Sequence, residues 1–404
     1  MPVLIDEIIS VQFFLTCFSV TVLLLWLMVK FKVADSWCDP SILTLFQLVI
    51  TFVSLSYLSI LPLNQIVGFL FFLLILFGLA RFKLKPIKIV PENFWMQFSY
   101  FLVVIAVLSN VYLTSTKGFI YFVEDSSNAR LVYYQGYGMF QRINSFAAPV
   151  IAINAFYLLR ANRKSLFFFY MIVVAFLLVS LGSKSSLMAI IFFYGAFFKF
   201  HKKTETAFLK RNKGKLTLLL LFMFFTSLSM FYLIYQDSFL DAFAYRMISM
   251  SDGPFYFYFD HLQQWISYPP MYMFDQLLVT IRAYPDLRYM GLGAKINYYY
   301  YDYYDLLNGP NPQIFVESQV MFGGFFWVMY VMVAFAYTFL RKMCASPISF
   351  YFITQFVIVL TIDSQYAFSL IFNYIVLAVM MVVFLLLKLF YQALNGALLT
   401  ATYR

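Results

Sequence analysis

The sequence predicts an all-α polytopic membrane protein, and three observations lead to this prediction. The chain of 404 residues is 63% hydrophobic and only 11% charged, whereas about 25% of the residues in soluble domains are charged. Several apolar runs approach or exceed the roughly 20 residues that cross a bilayer as a helix. Basic residues cluster in alternate connections between these runs, as topology determinants do. We therefore expect one integral membrane domain over residues 1–404.

About eleven apolar segments (10–12) are predicted to span the membrane. The first lacks the basic region and the cleavage site of a signal peptide, so we expect it to be retained as a span. Short connections such as LPLNQ, GSKSS and DSQ predict tight turns between neighbouring helices. The predicted spans are 8–30, 41–61, 64–81, 96–114, 146–160, 165–181, 184–200, 216–236, 319–340, 346–362 and 366–387.

The distribution of Lys and Arg predicts the orientation of the chain. With the N-terminus outside, 20 of the 28 basic residues fall in inner connections and eight in outer ones, which agrees with the positive-inside rule. We therefore expect the N-terminus outside and the C-terminus inside. The net charge of +10 is then explained by topology and by contacts with anionic lipid rather than by nucleic acid. The predicted connections include a large outer loop at 237–318, a smaller outer loop at 115–145 and a basic inner loop at 199–215.

Several outer cations are candidates for binding a phosphorylated ligand, since topology alone would favour their absence from outer loops. Arginine is planar and always charged, which suits it to phosphate oxygens. The turn GSKSS places a lysine beside the first amides of the next helix, where an anion could bind. Each cation could instead pair with an acid, contact lipid headgroups or anchor a helix end. The candidates are Arg282, Arg246, Arg130, Arg142, Lys184 and Arg288.

The large outer loop also contains groups suited to acid–base chemistry and to sugar binding. His261 is the only outer histidine and can titrate near neutral pH, so it is a candidate base, although a lone histidine is more often a hydrogen-bonded structural residue. The run INYYYYDYYDLL contains Tyr298, Tyr300 and Tyr303. Their rings could stack on sugars or could form an interfacial aromatic belt. Both interpretations are open at this point.

Several familiar motifs are missing from the sequence. It contains no CxxC, HExxH or outer histidine cluster, so we predict no metal site. It contains no GxxxxGK[ST] loop, and no cofactor is predicted. Predicted spans 1–3 and 9–11 have almost no charge near their centres, which argues against an ion-coupled transporter.

Local motifs and the overall layout together resemble one known family. The turn GSKSS is similar to a small and basic turn between two spans of that family. The segment GPNPQIFVESQVMFGGFFWVMY is similar to its transition from the outer loop into a span, with Pro312, Glu317, Gly323 and Gly324 at matching positions. Arg282 is followed by Gly293 after ten residues, a spacing found in some members. The chain therefore resembles the O-antigen polymerase (Wzy-type) family of oligosaccharide repeat-unit polymerases.

This resemblance implies a GT-C-like architecture and a glycosyltransferase without a cofactor. The implied reaction transfers a growing glycan from undecaprenyl pyrophosphate to a new lipid-linked repeat unit, at the outer face of the cytoplasmic (inner) membrane. The outer cations would bind the pyrophosphate, and His261 would be the first choice of general base, followed by Glu317 and Asp260. The implied partners are undecaprenyl-pyrophosphate-linked glycans and membrane lipids, with a chain-length regulator and a flippase as possible protein partners.

Other functions stay open at the level of the sequence. An O-antigen ligase shares much of the architecture but uses a different acceptor. A lipid-linked oligosaccharide flippase or transporter has no need of an outer loop of this length. A glycosyltransferase that uses a polyprenyl-monophosphate sugar would show an acidic motif in an outer loop after its first span, where this chain has an inner connection. A purely structural role is the remaining alternative.

Overall fold

The computed structural model describes residues 11–87, 90–118, 138–180, 189–211, 252–301 and 310–402, together with positions 214, 221, 225 and 229. Within these ranges every regular element is helical, apart from an isolated parallel bridge between Ile87 and Cys344. The prediction of an all-α chain is therefore confirmed for the described residues.

The described residues form fourteen α-helices. We number them α1 (Val11–Lys30), α2 (Ile42–Tyr57), α3 (Leu63–Ala80), α4 (Glu92–Lys117), α5 (Gly138–Arg160), α6 (Lys164–Ser180), α7 (Ala189–Arg211), α8 (Asp252–Phe259), α9 (Asp275–Thr280), α10 (Leu292–Tyr301), α11 (Gln313–Phe322), α12 (Trp327–Met343), α13 (Pro347–Leu360) and α14 (Ser364–Thr402). Short 3-10 turns lie at Leu262–Gln264, Pro270–Phe274 and Gly323–Phe325.

Four of the described helices are long and apolar enough to cross a membrane: Leu63–Ala80, Asn93–Lys117, Gly138–Arg160 and the first part of α14, Ser364–Ala393. Shorter apolar helices include α2, α6 and α13. The predicted span at 216–236 lies outside the described residues. The basic connection predicted at 199–215 is helical as far as Arg211, with a kink in α7 at His201, where φ is −120° and ψ is 22°.

The segment predicted as one span at 319–340 is interrupted. Helix α11 ends at Phe322, Gly323 takes a left-handed backbone with a φ of 52°, and α12 begins at Trp327 after a single 3-10 turn. Glycine adopts a positive φ without steric penalty, so the Gly323–Gly324 pair can break the helix here. Hydrophobicity runs without interruption through this point, which is why the sequence suggested a continuous helix.

The described chain forms two compact units. Unit 1 takes its residues from Met1–Lys88 and Ile191–Ser369, and unit 2 from Ile89–Ile190 and Leu370–Arg404. The core of unit 1 contains an aromatic group in which the ring of Phe69 lies 4.6 Å from that of Phe52 and 5.0 Å from that of Phe315. Gly68 on α3 allows α12 to approach closely. A side chain at this position would place its Cβ only 3.0 Å from the ring of Tyr330 on α12.

Unit 2 is held together by apolar packing and by buried amides. Asn110 on α4 and Asn144 on α5 exchange two hydrogen bonds of 2.6 and 2.9 Å. Asn154 on α5 donates to the carbonyl of Trp95 at 3.0 Å. Such amide contacts are typical of the contacts between helices in a membrane. The long α14 adds Phe384, whose ring lies 5.7 Å from that of Phe94.

Part of the segment predicted as a large outer loop is folded into the short helices α8 to α10 and the first half of α11. Helix α8 packs closely against the residues that lead into α11. Gly253 makes this approach possible, since the Cβ of any other residue there would overlap the carbonyl group of Asn311. The buried Asp275 accepts hydrogen bonds from the backbone N–H groups of Arg288 and Tyr289, at 2.8 and 3.2 Å. These contacts fix the connection between α9 and α10 within unit 1.

Candidate functional site

Two carboxyl groups of unit 1 lie at the N-terminus of α14. The first N–H groups of a helix have no partner within the helix and attract acceptors and negative charge. Asp363 precedes the helix, and its Oδ1 accepts a hydrogen bond of 2.9 Å from the N–H of Tyr366. Glu317, on α11, accepts two hydrogen bonds from Ser364 through Oε1, at 2.8 Å from the backbone N–H and 2.9 Å from the hydroxyl. The N-terminus of α14 thus donates hydrogen bonds to two acids from separate parts of the chain.

Glu317 is fully buried, with 0% of its surface exposed. Its second oxygen, Oε2, accepts no hydrogen bond from any described residue. A buried carboxylate with an unused acceptor is unfavourable unless a ligand, a proton or a water satisfies it. Burial and then the charge of Asp363 raise the pKa of Glu317 well above its usual value, and the two bonds from Ser364 offset this only in part. Burial also raises the pKa of Asp363.

The position of Glu317 is set by backbone pairing at the start of α11. The N–H groups of Gln313 and Ile314 donate to the carbonyls of Ile362 and Thr361, at 2.9 and 2.8 Å. Gln313 has a positive φ of 55°, a backbone conformation that is unfavourable for a side chain of this kind. The first turn of α11 is therefore held against the residues that lead into α14, and Glu317 follows one turn later.

Tyrosines pack beside the acid pair. Tyr272 is buried, and its hydroxyl oxygen accepts a 2.7 Å hydrogen bond from the N–H of Leu292. Burial, and then the charges of Asp363 and Glu317, raise the pKa of Tyr272 well above its usual value. The ring of Tyr268 lies 4.9 Å from that of Tyr272 and 5.3 Å from that of Tyr289. This aromatic group gives one wall of the cluster.

Gln365 adds a second polar group with spare hydrogen-bonding capacity. It is 6% exposed, and its Nε2 has no partner among the described residues. The backbone of Gly291 lies next to this side chain, since a Cβ at Gly291 would be 3.8 Å from Oε1 of Gln365. The cluster around the start of α14 therefore combines an unused carboxylate acceptor, an unused amide donor and aromatic rings. These are the groups with which proteins bind hydroxyl-rich ligands.

Two of the predicted cations, Arg282 and Arg288, lie on the surface of the described part of the same segment. Arg282 is exposed and has a left-handed backbone with a φ of 59°. Arg288 is exposed, and its guanidinium lies over the ring of Tyr284 at 3.4 Å. The end of α9 at Thr280 fixes the backbone of Arg282, and the hydrogen bond to Asp275 fixes that of Arg288. Both charged side chains therefore extend from an ordered backbone.

The other two predicted bases differ from Glu317 in their surroundings. His261 and Asp260 are both exposed, and His261 has a positive φ of 53° at the end of α8. Partial burial raises the pKa of Asp260, while the neighbouring His261 lowers it. Neither residue has the enclosed environment that Glu317 has.

Arg142 belongs to unit 2, on the first turns of α5. Its Nη1 donates to Oδ1 of Asn373 at 2.6 Å, and the guanidinium lies 4.6 Å from the centre of the Phe372 ring. Both partners belong to α14, so within unit 2 this arginine ties two helices together. Its predicted role in binding phosphate stays a prediction.

The remaining predicted residues are only partly covered by the structure. Tyr298 lies on α10, exposed, with its ring 5.6 Å from that of Tyr299. Tyr300 lies on the same helix, and its side chain is outside the described residues. Arg246, Arg130, Lys184 and Tyr303 also lie outside them.

Sequence reasoning singled out Glu317 but not its companions Asp363, Ser364, Gln365 and Tyr272. The signal for them in the sequence is the connection DSQ, whose length predicts a tight turn. A polar triplet between two apolar segments, with an acid at a helix N-terminus, could have been grouped with the outer acids.

Comparison of the chain with protein-family models, with curated proteins and with solved structures gives no match.

Proposed function

We propose that the chain is a membrane glycosyltransferase that joins lipid-pyrophosphate-linked oligosaccharide repeat units, as O-antigen polymerases of the Wzy type do. The observation that carries this proposal is the buried Glu317 carboxyl with its unused Oε2. Glu317 lies in the segment that resembles the family's transition from outer loop to span. The amide of Gln365 and the tyrosine group beside it suit a sugar acceptor.

The proposed topology has about eleven spans, with the N-terminus outside and the C-terminus inside. In that orientation the segment 237–318 and the connection 361–366 both face outward. Glu317, Asp363 and Arg282 then share the outer side, where lipid-linked repeat units would be joined. The proposed location is the cytoplasmic (inner) membrane.

The proposed chemistry needs a base and a site for the leaving group. An acceptor hydroxyl donates its proton to Glu317 while its oxygen forms a bond to the anomeric carbon of the donor glycan. The bond from that carbon to the phosphate oxygen breaks, and its electron pair leaves with undecaprenyl pyrophosphate. Cations placed at the leaving oxygens stabilise the developing charge, and we assign Arg282 to this role. No metal is required by this scheme.

Among the three candidate bases, we favour Glu317. General bases work best when their pKa lies near the operating pH, and burial beside Asp363 raises the pKa of Glu317 above its usual value. Enclosure also keeps water away from the reacting hydroxyl. The exposed His261 lacks this enclosure, so it is the second choice.

An O-antigen ligase is the second candidate function, because it would use the same donor and the same kind of base. The two differ only in the acceptor, which is a lipid A core in the case of a ligase. A flippase is disfavoured, since a buried acid pair beside aromatic rings has no role in a cationic transport path.

The test is a complementation experiment. In cells without the gene, the wild-type chain should restore a ladder of long-chain surface polysaccharide, and Glu317→Gln should leave a single capped repeat unit. Glu205→Gln is the matched control, because Glu205 is also buried and accepts a 2.8 Å bond from Tyr194. The control should restore the full ladder, with equal amounts of protein in the membrane.

Other outcomes discriminate between the candidates. Complete loss of lipid-linked surface glycan on deletion would indicate a ligase or a flippase. A normal ladder with Glu317→Gln would remove this residue from the mechanism. No change on deletion would reject all three functions.

A further inference from the structure

Unit 1 contains a cavity of about 50 Å³ that is remote in sequence from the acid pair. Its charged lining residues are Lys32, Asp35, Lys199, Arg341 and Lys342. Four cations thus face one carboxylate. A single water needs about 10–15 Å³ in such a cavity, so there is room for a small oxyanion.

Arg341 is the fixed cation of this cavity. It is 4% exposed, and its Nη2 lies 2.6 Å from Oδ2 of the buried Asp39. Its Nη1 donates to the carbonyl of Val33 at 3.3 Å and to the hydroxyl of Ser41 at 3.4 Å. Its Nε has no partner among the described residues. Arg341 lines the cavity, and a guanidinium at the wall of a cavity is suited to receive an anion.

The carboxylate of Asp39 is already engaged and adds little free negative charge. Besides Arg341, it accepts hydrogen bonds from the N–H of Asp35 at 2.8 Å and from the N–H and hydroxyl of Ser41 at 2.9 and 2.6 Å. It therefore holds Arg341 in position rather than competing for a ligand in the cavity.

Lys199 and Asp35 form the second charged contact. Lys199 Nζ lies 3.0 Å from Oδ2 of Asp35 and 3.6 Å from the centre of the Phe350 ring. The same Asp35 oxygen lies 3.6 Å from Nη2 of Arg341. One partly exposed carboxylate is thus shared by two cations, which leaves the wall with excess positive charge.

Lys342 and Lys32 complete the cationic wall at two helix ends. Lys342 Nζ donates to the carbonyls of Leu79, Ala80 and Phe82 at 2.6–2.7 Å, at the C-terminus of α3. Lys32 follows α1 with a left-handed φ of 63°, a position that glycine usually occupies. It is exposed and forms no ion pair within the described part of the chain.

We propose that this cavity binds a phosphate group, either that of an anionic lipid headgroup or free inorganic phosphate. Arg341 and Lys199 provide the inner contacts, and Lys32 closes the site from the rim. The exposed Phe31, Trp37 and Phe82 lie beside these residues in the sequence, as aromatic side chains do at a membrane interface. The site is independent of the proposed glycan chemistry.

The test measures the unfolding temperature of the purified full chain in detergent while one probe is added. The probes are phosphatidylglycerol, phosphatidylcholine, sodium phosphate and sodium chloride of matched ionic strength. A ligand that binds only the folded state raises the unfolding temperature with its concentration. We expect stabilisation by phosphatidylglycerol or by phosphate, and none by phosphatidylcholine or chloride.

Two variants link the effect to the cavity. Lys32→Gln should weaken binding about fivefold, since one lysine beside an anionic headgroup contributes about 1 kcal/mol. Lys30→Gln is the matched control, because Lys30 lies over the ring of Trp26 at 4.6 Å and is not part of the cavity wall. Asp35→Asn removes the one carboxylate among the described lining residues and should strengthen binding.

The outcomes separate the two sources of phosphate. Stabilisation by phosphatidylglycerol alone assigns the site to a lipid headgroup, and stabilisation by sodium phosphate assigns it to free phosphate. Equal responses of the wild-type chain and Lys32→Gln, or equal responses to phosphatidylglycerol and phosphatidylcholine, would overturn the proposal.

Discussion

Oε1 of Glu317 lies 2.8 Å from the backbone nitrogen and 2.9 Å from the hydroxyl oxygen of Ser364. These two bonds join α11 to the first turn of α14 across 47 residues of sequence. They leave Oε2 of a fully buried carboxyl group without a partner among the described residues. Ionisation of the Glu317 carboxyl group therefore destabilises the folded state. This effect can be measured as a dependence of stability on pH.

Glu317→Gln should change the dependence of stability on pH. The pKa of Glu317 is raised in the folded state, so the folded chain binds this proton more tightly than the unfolded chain does. The free energy of unfolding then decreases as pH rises above the ordinary value of 4.5 and towards the folded pKa. Glutamine cannot titrate, so the variant should unfold at a higher temperature than the wild-type chain at pH 8.

Thermal unfolding in detergent between pH 4 and pH 8 checks this expectation, and the difference should shrink towards the acid end. A wild-type chain that is the more stable of the two at pH 8 would show that Glu317 is stabilised as a carboxylate. That outcome would contradict the raised pKa on which the proposed base depends.

Asp363→Asn should shift the pH profile of polymerisation. Asparagine keeps an oxygen for the N–H of Tyr366 but removes the charge that helps to raise the pKa of Glu317. The acid limb of the profile, measured with purified protein and lipid-linked repeat units, should then move to lower pH. An unmoved limb would mean that Glu317 is not the titrating base.

Asp363→Ala separates the structural role of this residue from its charge. Loss of an N-cap acceptor costs about 1 kcal/mol, so the alanine variant should be less stable than the asparagine variant. Both variants should shift the pH profile in the same direction.

Arg282→Gly should abolish long-chain glycan without lowering stability. Arg282 has a φ of 59°, and a left-handed backbone costs a residue with a side chain about 1–2 kcal/mol. Glycine removes this cost, and it also removes the positive charge that we assign to binding the pyrophosphate. The measurements are the unfolding temperature and the polysaccharide ladder.

Ser59→Gly is the matched backbone control, since Ser59 has a φ of 57° and no assigned role. It should retain the full ladder. Arg282→Ala should also abolish long chains, because it removes the same charge while keeping the backbone strain. Normal ladders from both Arg282 variants would exclude this arginine from the site.

Asp39→Asn should destabilise unit 1 by about 3 kcal/mol, because it leaves the buried Arg341 without its closest counter-charge. Nη2 of Arg341 and Oδ2 of Asp39 are 2.6 Å apart. Denaturant unfolding of the purified chain gives the loss. The double variant Asp39→Asn/Arg341→Met should lose less than the sum of the two single variants. Additive losses would show that the pair is not coupled.

Hydropathy along the sequence predicts the helical character of the described residues and many of the helix positions. The predicted segments 64–81 and 165–181 differ from α3 and α6 by one residue at each end. Hydrophobicity and helix length are local properties, so they can be read from a window of the chain. The resemblance of the segment GPNPQIFVESQVMFGGFFWVMY to one family also points to Glu317 without any structure.

The contacts of Glu317 depend on how distant segments of the chain pack together. The pairing of Gln313 with Ile362 holds Asp363 and Ser364 beside Glu317, and the helix break at Gly323 separates this segment from α12. A hydropathy window passes over that break because the residues on both sides are apolar. The buried contact between Arg341 and Asp39 joins positions 302 residues apart. Contacts of this kind depend on how helices pack against one another, and local composition does not specify that packing.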